Sequence, residues 1–361
     1  MKWSWKLGEI AGIGIYIHAT FLLVIGWVGL THWRDGQSIE ATLVGIGFIL
    51  ALFGCVLLHE LGHSLTAKKY GIKTRDITLL PIGGVARLER MPDDPKQELW
   101  VALMGPAVNV VIAAVLFISL FLTNSLVPLE SMEMTSGPFW ERLMMVNLFL
   151  VAFNMIPAFP MDGGRVLRAL LATRLAYTKA THIAATIGQG IAFIFGFIGL
   201  FTNPFLVFIA LFVWIGAAQE SSMVQIQSSL DGIPVNQAMI TNFRTLLPLS
   251  TLADAVELTL SGSQQDFPVV EGERVVGVLV QGDLLVALAQ QGKDTPVSGV
   301  MQTDFETAEA FEMLQTLFVR MQSCNCRTVP VTRFGRLVGL ITMENIGEFL
   351  RIEAALSQKK L

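Results

Sequence analysis

Charged side chains are scarce in this sequence, and their scarcity argues against an ordinary soluble protein. Only 15% of the 361 residues are Asp, Glu, Lys or Arg, whereas 53% are hydrophobic. Soluble domains carry about 25% charged residues. The shortage ends near Glu220: residues 221–361 hold 10 basic and 15 acidic side chains, a mixture typical of a soluble domain. We therefore expect a membrane domain over residues 1–220 and a soluble domain over residues 221–361.

Cysteines and clustered basic residues are also rare. The three cysteines, Cys55, Cys324 and Cys326, are too few for a disulfide framework, and they favour a reducing compartment. No basic stripe with interleaved aromatic residues is present, so we expect no nucleic-acid partner. A cleavable signal is not predicted, because no short apolar core with a small-residue cleavage site follows the first three residues.

Long uncharged runs predict six membrane-spanning helices. An apolar segment of about 18 residues or more is a candidate span. The last run, residues 181–219, is about 58 Å long as one helix, which is too long for a single crossing. Thr202-Asn203-Pro204 splits it into a hairpin of two spans. The uncharged runs are residues 10–33, 41–58, 99–129, 143–161 and 181–219.

The loops between these runs predict the orientation. Short loops that are rich in Lys and Arg stay in the cytoplasm. The loop at residues 67–98 holds seven basic residues, and the one after residue 161 holds four: Arg165, Arg168, Arg174 and Lys179. The loop at residues 124–140 has Glu130 and Glu133 and no basic residue. Both termini, and the soluble domain, should therefore be cytoplasmic in a cell or inner membrane.

An HExxH motif lies where the second predicted span ends, at residues 59–63. On a helix, His59 and His63 share one face and can reach one metal ion, and Glu60 can act as a general base on water. Chance produces this motif in such a chain with a probability of roughly a few in a thousand. The alternative is a hydrogen-bonded His/Glu cluster that holds helices together, although such a cluster does not require this spacing.

The third ligand of a catalytic zinc site is predicted to be Asp162. Pro157 and Pro160 break the fourth span near its cytoplasmic end, and Gly163 and Gly164 follow the acid. Unwound backbone at membrane depth is tolerated only where it is buried in protein or lines a wet cavity. Both the HExxH motif and Asp162 fall in the cytoplasmic half of the bilayer, so the depths agree.

Three motifs together resemble the site-2 protease family of intramembrane zinc metalloproteases. They are HELGH at residues 59–63, Gly105-Pro106-Ala107-Val108-Asn109, and N-x-x-P-x-x-P-x-D-G-G at residues 154–164. The resemblance implies that His59, His63 and Asp162 bind zinc, that Glu60 activates water, and that Asn154 contacts the substrate or the developing oxyanion. For Asn154, and more so for Asn109, a hydrogen bond between helices is the alternative to a substrate contact.

Short glycine-bounded strands suggest how a helical substrate becomes accessible. Residues 82–89 and 13–17 have strand patterns. A transmembrane substrate must be extended locally before water can attack it. Our hypothesis is that Gly83, Gly84 and Val85 lie on an edge that pairs with the unwound substrate by β-augmentation.

The soluble part is an internal repeat with an offset of 62 residues. Residues 235–239 correspond to 297–301, Pro268 to Pro330, and Gly277 to Gly339. Each unit alternates helix and strand. The two units, about 235–290 and 297–353, look like a pair of CBS motifs, an α/β domain that often binds adenine nucleotides such as ATP and that can form homodimers.

The nucleotide signature of that family, G-h-h-T-x-x-D, is half complete in each unit. The first has Val280 in place of Thr and keeps Asp283; the second keeps Thr342 and has Asn345 in place of Asp. Nucleotide binding at Asp283, Thr342 and Asn345, and a purely structural or dimerising pair, both remain open.

The predicted function is hydrolysis of a peptide bond in or near a transmembrane segment of a membrane-anchored protein. A CBS-regulated transporter is one alternative, and it requires charged residues along a path through the spans. An inactive protease-like scaffold is another, although such a relative would normally have lost Glu60 or a ligand. Neither pattern is found here.

Overall fold

The computed structural model describes residues 3–36, 38–81, 83–92, 94–125, 137–324 and 326–358. The predicted ends of the third span (residues 126–129), Glu130 and Glu133 of the acidic loop, and Ile82 of the predicted strand lie outside the described residues. The chain divides into two compact units, Met1–Val224 and Gln225–Leu361.

The described residues of the first unit form seven helices and a small sheet. Its helices are α1 (Phe21–Gly36), α2 (Ile39–Lys69), α3 (Pro95–Leu122), α4 (Phe139–Asn154), α5 (Asp162–Ala172), α6 (Tyr177–Phe201) and α7 (Pro204–Ser229). Its strands are β1 (Ser4–Ile10), β2 (Ile13–His18), β3 (Thr74–Leu80) and β4 (Gly83–Leu88). The sheet order is β1-β2-β3-β4, with β2 and β3 parallel and the other pairs antiparallel.

Four of the described helices are long and apolar enough to cross a membrane: α2, α3, α6 and α7. The other two predicted spans hold shorter helices, since α1 and α4 have 16 residues each. Strand β2 occupies the start of the predicted first span, so its helix begins only at Phe21. The fourth run is helical only as far as Asn154, and α5 starts afresh at Asp162.

The helix ends follow their local sequence. Helix α2 begins after Ser38, whose side chain accepts a hydrogen bond from the backbone N–H of Ala41. It ends with Lys68 and Lys69, whose charges suit the negative end of the helix dipole. Helix α3 begins after Asp94 with Pro95 in its first turn, where a missing N–H costs nothing.

The second unit carries the repeated α/β pattern. Its elements are α8 (Leu252–Leu260), β5 (Phe267–Glu271), β6 (Arg274–Leu279), α9 (Gln281–Gln291), β7 (Ala308–Glu309), α10 (Leu314–Cys324), β8 (Thr328–Arg333), β9 (Arg336–Thr342) and α11 (Met343–Gln358). The hairpins β5–β6 and β8–β9 are equivalent, and each is followed by a helix. Leu252, Phe267 and Leu279 form part of a fully buried core.

Two of the three cysteines are bonded to each other. Cys324 and Cys326 are joined by a disulfide between residues two apart in the chain. Cys55 is free and buried in α2. One local bridge does not amount to a disulfide framework.

Candidate metal centre

Helix α2 carries the HExxH motif on one buried face. His59 and His63 lie four residues apart, and both side chains are buried. Their rings meet edge to face with centroids 4.8 Å apart. This is the geometry that helical spacing predicts for two side chains that bind one metal ion.

Asp162 reaches this face because the chain unwinds between α4 and α5. It is the first residue of α5 and is buried. The glycines after it are required by close packing. A Cβ on Gly163 would lie 2.3 Å from the carbonyl oxygen of Ile156, and one on Gly164 would lie 2.6 Å from the backbone nitrogen of Phe159. The first turn of α5 therefore lies directly against the backbone that follows α4.

The three side chains present their ligand atoms to one point. His59 Nε2 and His63 Nε2 are 3.1 Å apart, and Asp162 Oδ2 lies 3.2 Å from the first and 3.1 Å from the second. In a tetrahedral zinc site with bonds of 2.0–2.1 Å, neighbouring ligand atoms are about 3.3 Å apart. Two imidazoles and one carboxylate are a donor set that zinc prefers, and they leave a fourth position open. The residues therefore fit zinc.

Each histidine is oriented through its other ring nitrogen. His63 Nδ1 lies 2.7 Å from the carbonyl oxygen of Val101, and His59 Nδ1 lies 2.5 Å from Asn109 Oδ1. Both acceptors belong to α3. With Nδ1 donating, Nε2 is left unprotonated and available to a metal, as is usual around bound zinc.

Asn109 is hydrogen-bonded to His59 and to Asn147. Its Oδ1 is used by His59, and its Nδ2 donates to Asn147 Oδ1 at 2.7 Å. Asn147 in turn donates to the carbonyl oxygen of Leu143 at 2.8 Å. The amide of Asn109 is buried and hydrogen-bonded at both ends, which favours the hydrogen bond between helices, while the substrate contact stays a prediction.

The sequence did not reveal Asn147 or the Val101 carbonyl. A backbone acceptor leaves no trace in residue types, and an asparagine in an apolar run, as at Asn147, is the only signal that could have been read.

Glycines let α3 approach the histidines. A Cβ on Gly105 would lie 2.1 Å from His63 Nε2, and one on Gly62 would lie 2.6 Å from the carbonyl oxygen of Met104. A side chain at Gly105 would thus occupy the position of the imidazole. The GPAVN motif is therefore explained by packing at Gly105 and by the hydrogen bond of Asn109.

Strand β4 lies against the general-base candidate. A Cβ on Gly84 would lie 2.7 Å from Glu60 Cγ, so the strand backbone packs directly on the Glu60 side chain. Val85 is 43% exposed, and β4 is an edge strand of the sheet, paired only with β3. Asn154 is the last residue of α4 and is half-buried.

The nucleotide candidates of the second unit make local contacts in each repeat. Asp283 Oδ2 accepts a hydrogen bond from Gln302 Nε2 at 2.7 Å, and Asp283 lines a surface pocket with residues of α9 and Gly299. In the other repeat, Thr342 Oγ1 accepts from the backbone N–H of Asn345 at 3.1 Å, next to the start of α11.

An HExxH helix and a carboxylate from an unwound segment, set among apolar helices, define an intramembrane metalloprotease. The model of peptidase family M50 matches residues 47–136 and 125–195, and the CBS domain model matches residues 235–290 and 297–351. The chain is 35% identical over 349 residues to zinc metalloprotease MJ0392 of Methanocaldococcus jannaschii, with 96% of each chain covered. A solved structure of the site-2 protease from Methanocaldococcus jannaschii covers 61% of this chain and 95% of its own, at 41% identity and a TM-score of 0.44.

The chain belongs to the site-2 proteases of peptidase family M50 and ends in a CBS pair. It is an integral membrane zinc metalloprotease, which confirms the predicted family, function and enzyme class. The predicted CBS repeat is confirmed as well.

Proposed function

We propose that His59, His63 and Asp162 hold the zinc ion of this protease and that Glu60 is its general base. The observation that carries the proposal is the convergence of three ligand atoms within 3.2 Å of one another, with both Nδ1 atoms anchored on α3. A cluster that only held helices together would not need two Nε2 atoms facing the same point. The substrate is a membrane-anchored protein cut in or near its transmembrane segment.

The chemistry is hydrolysis of one peptide bond. Zinc bound here supplies a Lewis acid that polarises the carbonyl and makes water more acidic. Glu60 takes a proton from the water while the water oxygen attacks the carbonyl carbon. Glu60 then delivers that proton to the leaving amine. Asn154 contributes a neutral amide donor for the developing oxyanion.

The proposed topology has six spans with both termini in the cytoplasm. Helices α1 and α4 supply the two spans beyond the four long helices, each extended by adjoining non-helical residues. The basic loops at residues 67–98 and after residue 161 support this orientation. The soluble domain predicted over residues 221–361 would then lie in the cytoplasm.

The experiment that tests the function compares membrane proteomes of cells producing the wild type and Glu60→Gln. We expect a membrane-anchored protein to accumulate at full length only with the variant, because Glu60→Gln still binds its substrate but cannot cleave it. Identical proteomes in the two strains, under conditions where the wild type is active, would contradict the proposal.

We further propose that β4 pairs with the extended substrate, through Gly83, Gly84 and Val85. The strand is at the edge of its sheet, is half-exposed, and touches Glu60 through Gly84. A substrate segment added to this edge would place its backbone beside the general base. Main-chain hydrogen bonds would bind it with little dependence on sequence.

Replacing Val85 with proline tests this edge. Proline removes the backbone N–H and disfavours strand pairing, so we expect cleavage to fall by roughly ten-fold or more while zinc content stays at the wild-type level. The measurements are cleavage of a reconstituted substrate and metal analysis. Val85→Thr, which keeps the N–H and a β-branched side chain, is the matched control. Equal cleavage by Val85→Pro and the control would remove the edge from the mechanism.

For the C-terminal pair we propose adenine-nucleotide binding beside Asp283, with Thr342 and Asn345 at the equivalent positions of the other repeat. The pocket lined by Asp283 supports this, and the half-complete signatures count against it. The same pair is our candidate for a homodimer contact.

Calorimetric titration of the full chain in detergent with ATP, ADP and AMP checks the nucleotide proposal. We expect heat of binding that Asp283→Ala weakens about ten-fold, the cost of one hydrogen bond to a charged group. Asp294→Ala, which changes an exposed aspartate between the two repeats, should bind as the wild type does. No heat with any of the three nucleotides would leave the pair with a structural or dimerising role.

A further inference from the structure

Arg168 is a fully buried arginine near the cytoplasmic end of the membrane unit. It lies on α5, six residues after Asp162, about 9 Å along the helix axis. Its side chain has no exposure. In the sequence, Arg168 is one of the basic loop residues that predict the orientation of the spans. In the structure this arginine is buried and ion-paired.

The guanidinium of Arg168 joins two other helices. Its Nε donates to Glu98 Oε1 at 2.7 Å, and its Nη2 lies 2.5 Å from the same oxygen. Its Nη1 pairs with Glu220 Oε1. Glu98 is in the first turn of α3, and Glu220 is on α7. Arg168 Cζ also lies 5.0 Å from the ring centroids of Phe159 and Tyr177.

Such a cluster is not explained by stability alone. Burying charged groups carries a large desolvation penalty, and well-packed apolar residues are often as stable as a buried ion pair. What a planar guanidinium adds is geometry, because its donors point in fixed directions toward its partners. Lysine, a point charge on a flexible stem, does not reproduce that fork.

Two of the three helices that Arg168 joins, α3 and α5, contribute to the metal centre. Helix α3 orients both histidines, through the Val101 carbonyl and Asn109, and Glu98 lies one turn before Val101. Helix α5 supplies Asp162. The proposed metal ligands therefore lie on two parts of the unit. One is α2, whose histidines are held by α3, and the other is α5. The Arg168–Glu98 ion pair connects α5 to α3.

We propose that Arg168 is a positioning residue that fixes Asp162 relative to the two histidines by clamping α5 to α3 and α7. The inference rests on the proposed zinc site and adds a residue that touches neither metal nor substrate. Glu220 extends the clamp to α7.

The test uses the full chain in detergent, loaded with Co²⁺ as a spectroscopic probe of the ligand geometry. In Arg168→Lys we expect a shifted visible cobalt spectrum and a metal affinity about ten-fold lower, the range seen when outer partners of metal ligands are removed. Glu220→Gln, whose side chain is partly exposed in the wild type, should shift the spectrum in the same direction by a smaller amount. Arg320→Gln is the matched control, because Arg320 also pairs with two glutamates, Glu306 and Glu312, but in the other unit.

The outcomes separate the two proposals. A wild-type chain that binds no cobalt would refute the metal site itself. A wild type that binds cobalt, with an unchanged spectrum and affinity in both Arg168→Lys and Glu220→Gln, would overturn the clamp and leave the metal site standing. If Arg168→Lys does not fold, the result for Glu220→Gln decides alone. A shift in Arg320→Gln equal to that in the α5 and α7 variants would also overturn the proposal.

Discussion

Glu60→Gln will bind zinc as the wild type does and will not cut. Glutamine has the shape of glutamate but cannot accept the proton of the attacking water, and the three ligand side chains are untouched. General acid–base catalysis contributes about 10²–10⁴-fold, so the cleavage rate should fall at least a hundred-fold. The measurements are turnover of a reconstituted transmembrane substrate and zinc per chain by metal analysis.

The control for this variant lies on the same helix. Glu40 is exposed in the first turn of α2 and far along the helix from the metal centre, so Glu40→Gln should leave both zinc and turnover unchanged. Glu60 lies against Gly84 of β4, and the loss could therefore reflect a disturbed strand. Unchanged substrate affinity in Glu60→Gln excludes that explanation. Full proteolysis by Glu60→Gln would show that the mechanism is wrong.

The cluster of His59, His63 and Asp162 could be predicted because its geometry is largely local. His59 and His63 are joined by one turn of helix, and any helix at this position places them together. Asp162 is 99 residues from His63. It could still be predicted, because the prolines and glycines around it indicate unwound backbone, which is tolerated at membrane depth only in a buried or wet site. The HExxH motif and Asp162 are also predicted at the same depth in the membrane, which favours a contact between them.

The residues around the ligands could not be predicted, because their partners are distant in sequence and ordinary in type. Arg168 is 70 residues from Glu98 and 52 from Glu220, and from sequence it resembles any arginine of a basic loop. The carbonyl of Val101 carries no sequence signal at all. Such contacts follow from how α3, α5 and α7 pack, which hydrophobicity alone does not determine.

The positions of the membrane segments could be predicted from the sequence, but the type of secondary structure within them could not always be. Hydrophobic runs locate the membrane segments, but an apolar stretch of residues does not separate strand from helix. The first run contains both: Ile13 and Ile15 are buried in β2, and α1 begins only at Phe21. The repeat of the C-terminal unit was found through its 62-residue offset, which does not depend on any single contact.

Asp162→Ala will lose both metal and activity, in contrast to Glu60→Gln. Catalytic zinc needs three protein ligands, and alanine leaves only the two imidazoles. Loss of an outer partner costs about 10–100-fold in metal affinity, so loss of a direct ligand should cost more than that. Purified Asp162→Ala should therefore contain far less than one zinc per chain, and its turnover should be undetectable.

The matched control is Asp231→Ala. Asp231 is an exposed aspartate outside the membrane helices, so this variant should keep full zinc and full turnover. His63→Ala should behave as Asp162→Ala does, because both remove a ligand atom from the same point. If Asp162→Ala kept stoichiometric zinc while His63→Ala lost it, the third ligand would have to be sought elsewhere. The close approach of Asp162 Oδ2 to both histidines would then be a hydrogen-bonded contact, and α5 would owe its position to Arg168 and the glycines alone.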